Sequence, residues 1–372
     1  MFEVSEHSRM SICFLLPYWT DRPVGGYKVV YEYANRFAAL GHRVTIAYPY
    51  LPEVGNFWMN LARHFIANPH HIVKFIEFKA KVKRGVTWFT LDKRVRLRPV
   101  FQYSSLFPVG MSLGTCYIAT FVWTADCLNR MPVRYKFYFL QDRESWFGKD
   151  GHRYLGQTYK MPLRKIAISQ WIREGVVAAG SDAVVIPNGL DFEYFRMESR
   201  IDDRSQCSVA MLWHRDQRKR TEDAVAALAI VQREFPQLQV TAFGVFDAPV
   251  DLPQWITYVQ QPDRNRHNEI YNNAAIFVAS SEQEGWGLTP CEAMICGCAV
   301  ACTDIGGYRE FAKDGETALM SPARDVEALA ANITRLIEDR ELRIRIASAG
   351  HKNIKQFTWD NSVHRFLEVV DA

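Results

Sequence analysis

The chain has 372 residues, 48% of them hydrophobic, so it can bury a large core and is expected to form two domains. It carries 45 lysines and arginines against 41 aspartates and glutamates, and a net charge of +4 is too small to indicate a nucleic-acid partner. The first ten residues mix Glu, His, Ser and Arg, which predicts no signal peptide. No apolar run approaches the roughly 18 residues of a membrane-spanning helix, so we expect a cytoplasmic protein.

The eight cysteines form no C-x-x-C pair. Four of them lie in apolar segments typical of a core: Cys291, Cys296, Cys298 and Cys302. We therefore expect buried thiols in a reducing compartment and no metal site, with zinc binding as the lesser alternative.

The first elements in chain order form a strand–helix–strand unit. A strand is predicted over 11–16, a helix over 27–40 and a second strand over 43–48. This unit is the building block of a doubly wound parallel sheet. Gly25 and Gly26 precede the helix, where the backbone can approach a ligand closely, although a Gly-Gly pair at this place is often only a turn.

Residues 51–90 interleave aromatic and aliphatic side chains with lysine and arginine. One interpretation is a pair of helices that cover the sheet and have solvated basic faces. The other is an amphipathic surface within 57–84 that contacts an anionic membrane or a lipid-linked acceptor. Each lysine or arginine near such a membrane contributes on the order of 1 kcal/mol, so this segment could hold the protein there reversibly.

The rest of the first domain continues the alternation of strands and helices. Strands are predicted over 116–120, 135–140, 165–169 and 183–186, with a helix over 170–179. Asp142 follows the second of these strands at a carboxyl end, where doubly wound sheets bind ligands, although it could equally be a cap or turn residue. Pro187, Asn188 and Gly189 form a sharp turn, and we place the domain boundary there.

The second domain repeats the pattern. Strands are predicted over 209–213 and 238–243, with a helix that begins at Thr221. The charged run 214–220 lies between the first strand and this helix. Such a run is usually a solvated loop, but its position favours phosphate binding. Residues 258–262, which include Val259, are predicted to form a loop.

The most informative stretch is 280–297, which lies between short apolar runs at 275–279 and 298–302. Both runs are typical of buried parallel strands. The loop between them directs free backbone N–H groups and the positive end of a helix dipole towards a ligand. Glu284 and Glu292 flank these groups. The pattern predicts a site for a ligand that is anionic in one part and rich in hydroxyls in another.

The helix within this stretch has well-marked ends. Thr289 is predicted as the N-cap, Pro290 as the first helical residue and Glu292 as the acid of a capping box. Gly297 is predicted to end the helix.

Several motifs point to one family. Glu284 and Glu292 stand in an E-x7-E pattern, and three further segments read G-H-R-V at 41–44, I-P-N-G-L-D at 186–191 and G-G-Y-R-E at 306–310. Together they resemble the family 4 glycosyltransferases over most of the chain. The run Y-F-L-Q-D-R-E at 138–144 resembles a subgroup that contains bacterial rhamnosyltransferases of surface glycans.

The resemblance implies an α/β protein with the GT-B fold, in which two Rossmann-like doubly wound domains face a central cleft. The acceptor-side domain would comprise 1–187 and the nucleotide-sugar domain 188–357. A C-terminal helix within 358–372 would cross back to the first domain.

The resemblance also assigns roles to residues. Lys219 falls on the family's diphosphate-binding lysine, whereas Arg215 is displaced by one place from the family's arginine. Glu284 would meet the hydroxyls of the sugar, and Glu292 would bind ribose hydroxyls or only complete the capping box. The catalytic candidates are therefore Glu284, Lys219 and Arg215; the donor-binding candidates are Gly26, Val259, Gly287, Leu288, Thr289 and Glu292; and Gly25 and Asp142 are candidates for the acceptor or sugar side.

The implied reaction is a retaining transfer of a hexosyl or deoxyhexosyl group from a nucleotide-diphosphate sugar to a hydroxyl of a glycan, lipid-linked glycan or small molecule. The chain contains no D-x-D, P-loop or G-x-S-x-G motif, so we expect no metal and no cofactor. Synthesis of cell-surface polysaccharide or glycoconjugate at the inner membrane face would suit this reaction. Two alternatives remain open: a nucleotide-sugar epimerase with the same fold, and a non-catalytic nucleotide-sugar-binding protein.

Overall fold

The computed structural model describes residues 9–51, 70–103, 114–146 and 150–372. The chain divides into two compact units. The first comprises Met1–Ile168, Ile172–Ile186 and Val363–Ala372, and the second comprises Ser169–Trp171 and Pro187–Ser362. The last ten residues therefore belong to the first unit, although they follow the second unit along the chain.

The first unit contains a seven-stranded sheet with the order β3-β2-β1-β4-β5-β6-β7. Every adjacent pair is parallel. The central strands β1 and β4 are buried along nearly their whole length, as expected for a parallel sheet covered on both faces. The strands are β1 (Ser11–Leu15), β2 (Arg43–Pro49), β3 (Arg96–Val100), β4 (Thr115–Ala119), β5 (Tyr135–Leu140), β6 (Arg164–Ala167) and β7 (Val184–Val185).

The second unit contains a six-stranded parallel sheet with the order β10-β9-β8-β11-β12-β13. The strand order reverses beside β8, where the chain passes from β10 at one edge to β11 on the other side. Ligands bind at such a switch point in open parallel sheets. The strands are β8 (Ser208–Leu212), β9 (Gln239–Gly244), β10 (Ile256–Gln260), β11 (Ile276–Ala279), β12 (Ala299–Thr303) and β13 (Leu319–Ser321).

Helices connect the strands of both units. In the first unit they are α1 (Gly25–Ala39), α2 (His70–Arg84), α3 (Val122–Arg130), α4 (Gly151–Lys160) and α5 (Gln170–Ala178). They continue with α6 (Thr221–Glu234), α7 (Arg264–Asn273), α8 (Leu288–Ile295), α9 (Val326–Glu338), α10 (Arg340–Ile354) and α11 (Trp359–Asp371). The predicted α/β class with two doubly wound parallel sheets is confirmed.

Two local predictions are wrong. Helix α1 begins at Gly25 rather than at Tyr27, so Gly25 and Gly26 form its first turn instead of the preceding loop. The cause is Val24, which is extended and serves as the N-cap residue. Val259 lies in strand β10 and not in a loop, because the β-branched and aromatic residues of that segment pair with β9.

All eight cysteines lie among the described residues. Each of them is buried, and each has a free thiol. In the same part of the chain no group of three or more His, Cys, Asp and Glu side chains is placed to hold a metal ion.

Helix α11 supplies an aromatic side chain to the core of the first unit. Phe366 is fully buried, with its ring centroid 4.7 Å from that of Tyr33 and 5.3 Å from that of Phe139. The ring also packs on Phe37 at 5.6 Å. The core of the first unit thus includes a residue that follows the second unit in the sequence.

Replacing Phe366 by alanine should lower the free energy of unfolding of the first unit by about 3–5 kcal/mol, because the cavity removes contacts with several rings. Urea denaturation of the full chain measures this loss. The neighbouring exposed Arg365 provides the control, since Arg365→Ala should change stability by less than about 0.5 kcal/mol. Equal stability of the two variants would contradict the packing described.

Candidate functional site

Lys219 and Glu284 form an ion pair at the carboxyl edge of the second sheet. Lys219 ends a short 3-10 turn, Gln217–Lys219, that follows β8, and Glu284 lies in the loop between β11 and α8. The Lys219 Nζ atom is 2.7 Å from Glu284 Oε2. The side chains are only 25% and 12% exposed, so water screens this pair less than a surface pair. Two residues that the sequence placed in one site are therefore in direct contact.

The second carboxylate oxygen of Glu284 has different partners. The Ser281 hydroxyl donates to Glu284 Oε1 at 2.8 Å. The Tyr308 hydroxyl lies 3.2 Å from the same oxygen and 3.0 Å from Ser281 Oγ. Tyr308 opens the 3-10 turn Tyr308–Glu310, directly after Gly306 and Gly307. The G-G-Y-R-E segment thus reaches the same carboxylate as the lysine.

These contacts decide the protonation of Glu284. Burial raises the pKa of the carboxyl, but the positive charge of Lys219 and the hydrogen bonds from Lys219, Ser281 and Tyr308 lower it by more. The net result is a pKa below the ordinary value of 4.5, so Glu284 is ionised at neutral pH.

The other charged side chains of the run 214–220 have partners of their own. Arg218 pairs with Asp216 at 2.6 Å, and Arg220 pairs with Asp223 at 2.7 Å. Arg215 lies over the Phe246 ring, 5.0 Å from its centroid, and more than half of its side chain is exposed. Of this run it is Lys219 that contacts Glu284.

His214, in the same run, is uncharged at neutral pH. Burial and the nearby Lys219 ammonium lower the pKa of its imidazole below the ordinary value of 6.5. Its Nδ1 accepts a hydrogen bond from the backbone N–H of Asp216 at 2.9 Å.

Helix α8 begins differently from the sequence prediction. Its N-cap is Gly287, with φ of 103° and ψ of 75°, and the first helical residue is Leu288. Thr289 and Pro290 are therefore the second and third helical residues, and the prediction of Thr289 as N-cap is wrong. Glycine takes the cap position because the backbone there is in the left-handed region that other residues disfavour.

The N-cap residue of α8 is a glycine and makes no side-chain hydrogen bond to the helix N-terminus. The first N–H groups of a helix lack partners within the helix, and they lie at the positive end of its dipole. A helix start of this kind favours negative charge, and the backbones of Gly287, Leu288 and Thr289 form it three residues after Glu284. Gly297 ends α8 as predicted, with φ of 87°.

Glu292 lies one turn further into α8 and is 5% exposed. The predicted capping box with Thr289 is not formed, because Glu292 stands two positions too far from the observed cap. Its Oε2 instead accepts a hydrogen bond from the Tyr271 hydroxyl of α7 at 3.2 Å. The carboxylate retains acceptor capacity for a further hydroxyl.

The candidates of the first unit lie at the carboxyl edge of its own sheet. Gly26 is in the first turn of α1, where a Cβ would lie 3.4 Å from the Gln141 side-chain oxygen. Asp142 follows β5, and its Oδ1 accepts the backbone N–H of Arg143 at 2.8 Å. The loop after β5 therefore meets the start of α1.

Sequence reasoning missed Tyr308 and Ser281 as partners of Glu284. Both residues stand inside motifs that were identified, but neither has an ionisable or nucleophilic character that would single it out at neutral pH. Only the fold brings the segment after β12 against the loop after β11.

A family model described as "Glycosyl transferases group 1" matches residues 209–353, which lie wholly in the second unit. This segment contains Lys219, Glu284, Glu292 and Tyr308. In this segment the chain is similar to the group 1 glycosyl transferases. Phosphatidyl-myo-inositol mannosyltransferase of Mycobacterium tuberculosis is 28% identical over 223 residues, which are 56% of this chain and 59% of that enzyme. The match thus spans less than two thirds of that relative.

Solved structures that match nearly the whole length of the chain have a similar fold. Sucrose-phosphate synthase from Thermosynechococcus elongatus has a TM-score of 0.69 and 17% identity, with 97% of this chain and 98% of that chain covered. Anabaena HepE in complex with UDP-glucose also has a TM-score of 0.69 and 17% identity, over 97% and 99% of the two chains. At this identity the likeness establishes the fold, which is GT-B. The rhamnosyltransferase subgroup stays a prediction.

Proposed function

We propose that the protein transfers a hexosyl or deoxyhexosyl group from a nucleotide-diphosphate sugar to a hydroxyl of a glycan or lipid-linked acceptor, with retention and without a metal ion. The observation that carries the proposal is the contact between Lys219 and Glu284 beside the uncapped start of α8. A cation and free backbone amides suit a diphosphate, and a held carboxylate suits the hydroxyls of a sugar.

The chemistry follows from where charge develops. Negative charge grows on the diphosphate as its bond to the sugar breaks. Once Lys219 has turned to the bound diphosphate, it and the amides of Gly287, Leu288 and Thr289 are in place before the bond breaks, so they stabilise this charge more than that of the bound donor. Each such contact typically contributes about 3 kcal/mol to the transition state. These groups would take the role that a metal ion has in D-x-D enzymes.

The two glutamates would bind different parts of the donor. Glu284 is ionised and accepts hydrogen bonds from sugar hydroxyls, which orients the sugar for departure of the diphosphate. Glu292 is held by Tyr271 and accepts from ribose hydroxyls. Retention is the outcome that the family 4 resemblance implies, and departure from the front face of the sugar would not require Glu284 to act as a nucleophile.

Three further residues are proposed to contact the donor: Val259 and Arg215 of the second unit and Gly26 of the first. Val259 in β10 would lie near the nucleotide base, Gly26 would approach the donor through its backbone, and Arg215 would assist Lys219. Gly25 and Asp142 are proposed for the acceptor or sugar side. An acceptor that contains a lipid is supported by the name of the mycobacterial relative, a phosphatidyl-myo-inositol mannosyltransferase.

Helix α2 supports peripheral contact with an anionic membrane. Its Phe75 and Phe78 pack on Tyr50 at 5.4 Å and 5.5 Å, whereas Ile72, Val73 and Ile76 are 45%, 53% and 59% exposed. The same helix carries five basic side chains, three of them in its last turn: Lys74, Lys79, Lys81, Lys83 and Arg84. Residues 57–69 of the predicted surface lie outside the described residues. No helix in the described part of the chain is both long and apolar enough to span a bilayer.

The proposed reaction is tested with a panel of UDP-, GDP-, ADP- and dTDP-sugars. At least one should raise the melting temperature of the full chain, because a ligand that binds only the folded state stabilises it. Release of the corresponding nucleoside diphosphate then measures turnover, which EDTA should leave unchanged. Lys219→Met and Glu284→Gln should each lower kcat/KM about a hundredfold.

Glu282 provides a matched control two residues from Glu284. It pairs with Arg324 at 2.8 Å and is 38% exposed, so Glu282→Gln should have little effect. Undiminished transfer by Glu284→Gln would contradict the site. An isomerised nucleotide sugar formed from donor alone would identify the epimerase alternative, and binding without any turnover would identify a binding protein.

Membrane contact is tested by sedimentation with vesicles. The full chain should bind phosphatidylglycerol vesicles more strongly than phosphatidylcholine vesicles, and added salt should weaken this binding. Replacing Ile72, Val73 and Ile76 together by serine should reduce it. Val177, which is 50% exposed on α5, gives the control Val177→Ser. Equal binding to both lipids, or no loss in the triple variant, would contradict the proposal.

A further inference from the structure

The two oxygens of Glu284 are held in unequal ways. Oε2 contacts the Lys219 ammonium, whose flexible side chain reaches it across the site. Oε1 lies against two hydroxyls, Ser281 Oγ at 2.8 Å and Tyr308 OH at 3.2 Å. Oε2 thus contacts a cation that a diphosphate would attract. Oε1 contacts two neutral hydroxyls that a diphosphate would attract much less.

The two hydroxyls are themselves fixed by the fold. Tyr308 is 1% exposed and its ring lies against the backbone of Gly287, where an added Cβ would overlap the ring carbons. Ser281 is 4% exposed, and its carbonyl accepts the Thr303 hydroxyl at 2.5 Å. Both side chains are thus enclosed by the second unit. Tyr308 therefore contacts both the carboxylate and the cap residue of the anion-binding helix.

We propose that Tyr308, acting with Ser281, is a positioning residue that holds Glu284 at the sugar when the donor diphosphate takes Lys219. The inference rests on the proposed transferase function and assigns a task to residues that touch neither phosphate nor sugar. Glu284 Oε1 is the anchored oxygen, and Oε2 is the one that exchanges Lys219 for a sugar hydroxyl.

The need for an anchor follows from the exchange. A carboxylate held by Lys219 alone would lose its orientation when the lysine turns to the diphosphate, or would move with it. Because transfer requires reacting groups held close to the productive geometry, that freedom would lower the rate. Anchoring through Oε1 keeps the carboxylate in place in both states.

The charges around Glu284 determine how the anchor affects its titration. The titratable groups that face it are Lys219 and His214 on the segment after β8, Cys291 on α8 and Tyr308 after β12. His214 and Cys291 are neutral at neutral pH, since burial lowers the pKa of the imidazole and raises that of the thiol. Hydrogen bonds from Lys219, Ser281 and Tyr308 lower the pKa of Glu284. Loss of the Tyr308 hydroxyl should therefore raise this pKa.

The experiment is the pH dependence of turnover by Tyr308→Phe in the full chain. With the nucleotide sugar that the wild type turns over fastest, kcat should fall about tenfold, since a hydrogen bond to a charged group is lost. The KM for donor should change little, because the diphosphate contacts remain. The acid limb of the profile should move to higher pH, since ionised Glu284 is the active form. Ser281→Ala should move it in the same direction.

Tyr271→Phe is the matched control. It removes the same atom from another buried tyrosine of the second unit, whose hydroxyl contacts Glu292 instead of Glu284. It should leave the acid limb in place. A purely structural role for Tyr308 would lower the rate at every pH without moving the limb, and this result would overturn the inference.

The two proposals fail in different ways. If the wild-type chain turns over no nucleotide sugar, both the proposed function and this inference are wrong. If the wild type is active but the acid limb is unshifted in both Tyr308→Phe and Ser281→Ala, the inference alone is wrong. If Tyr308→Phe does not fold, the smaller Ser281→Ala change decides the question.

Discussion

The proposed function depends on one interaction, the ion pair between Lys219 and Glu284 at the edge of the second sheet. A largely buried ion pair is weak evidence for stability, because the cost of removing two charges from water offsets much of their attraction. The Lys219–Glu284 pair therefore fits the proposed role in donor binding better than a role in stability. It stands beside the start of α8, where backbone N–H groups have no partners within the helix.

Glycines allow the loops of this site to approach one another. Gly287 has the positive φ that lets the chain enter α8, and its missing side chain leaves space for the Tyr308 ring. Gly307 performs the same function from the other loop, because a Cβ there would overlap the Glu284 carbonyl. Larger residues at either position would separate Tyr308 from Glu284. The glycines of the two motifs are thus explained by close backbone packing as well as by ligand approach.

Much of the fold could be predicted because the central strands of both sheets are short, continuous apolar runs. Strands such as β1, β5 and β11 are buried on both faces, and their sequences show this directly. Two of the elements that were not predicted, β3 and α4, lack that signal. Strand β3 is an edge strand that reads R-L-R-P-V, and helix α4 contains two glycines and few strong helix formers, so packing rather than propensity determines their structure.

The candidate site divides in the same way. Glu284 and Glu292 could be identified from the E-x7-E pattern, and Lys219 from the position of the charged run 214–220 between a strand and a helix. The cap of α8 could not, since Thr289 and Gly287 both suit a helix start and the choice depends on the space that Tyr308 occupies. The contacts of Tyr308 with Glu284 and with Ser281 join residues 24 and 27 positions apart, and local patterns carry no information on such contacts.

The most direct test of the central claim is a calorimetric measurement of nucleoside-diphosphate affinity at neutral pH, with UDP and GDP as probes. If a diphosphate takes Lys219 from Glu284, then Glu284→Gln should bind the better probe more tightly than the wild type, because the competing carboxylate and its negative charge are gone. Lys219→Met should bind it more weakly, and Glu282→Gln should not differ from the wild type. Unchanged or weaker binding by Glu284→Gln, with Lys219→Met equal to the wild type, would contradict the account.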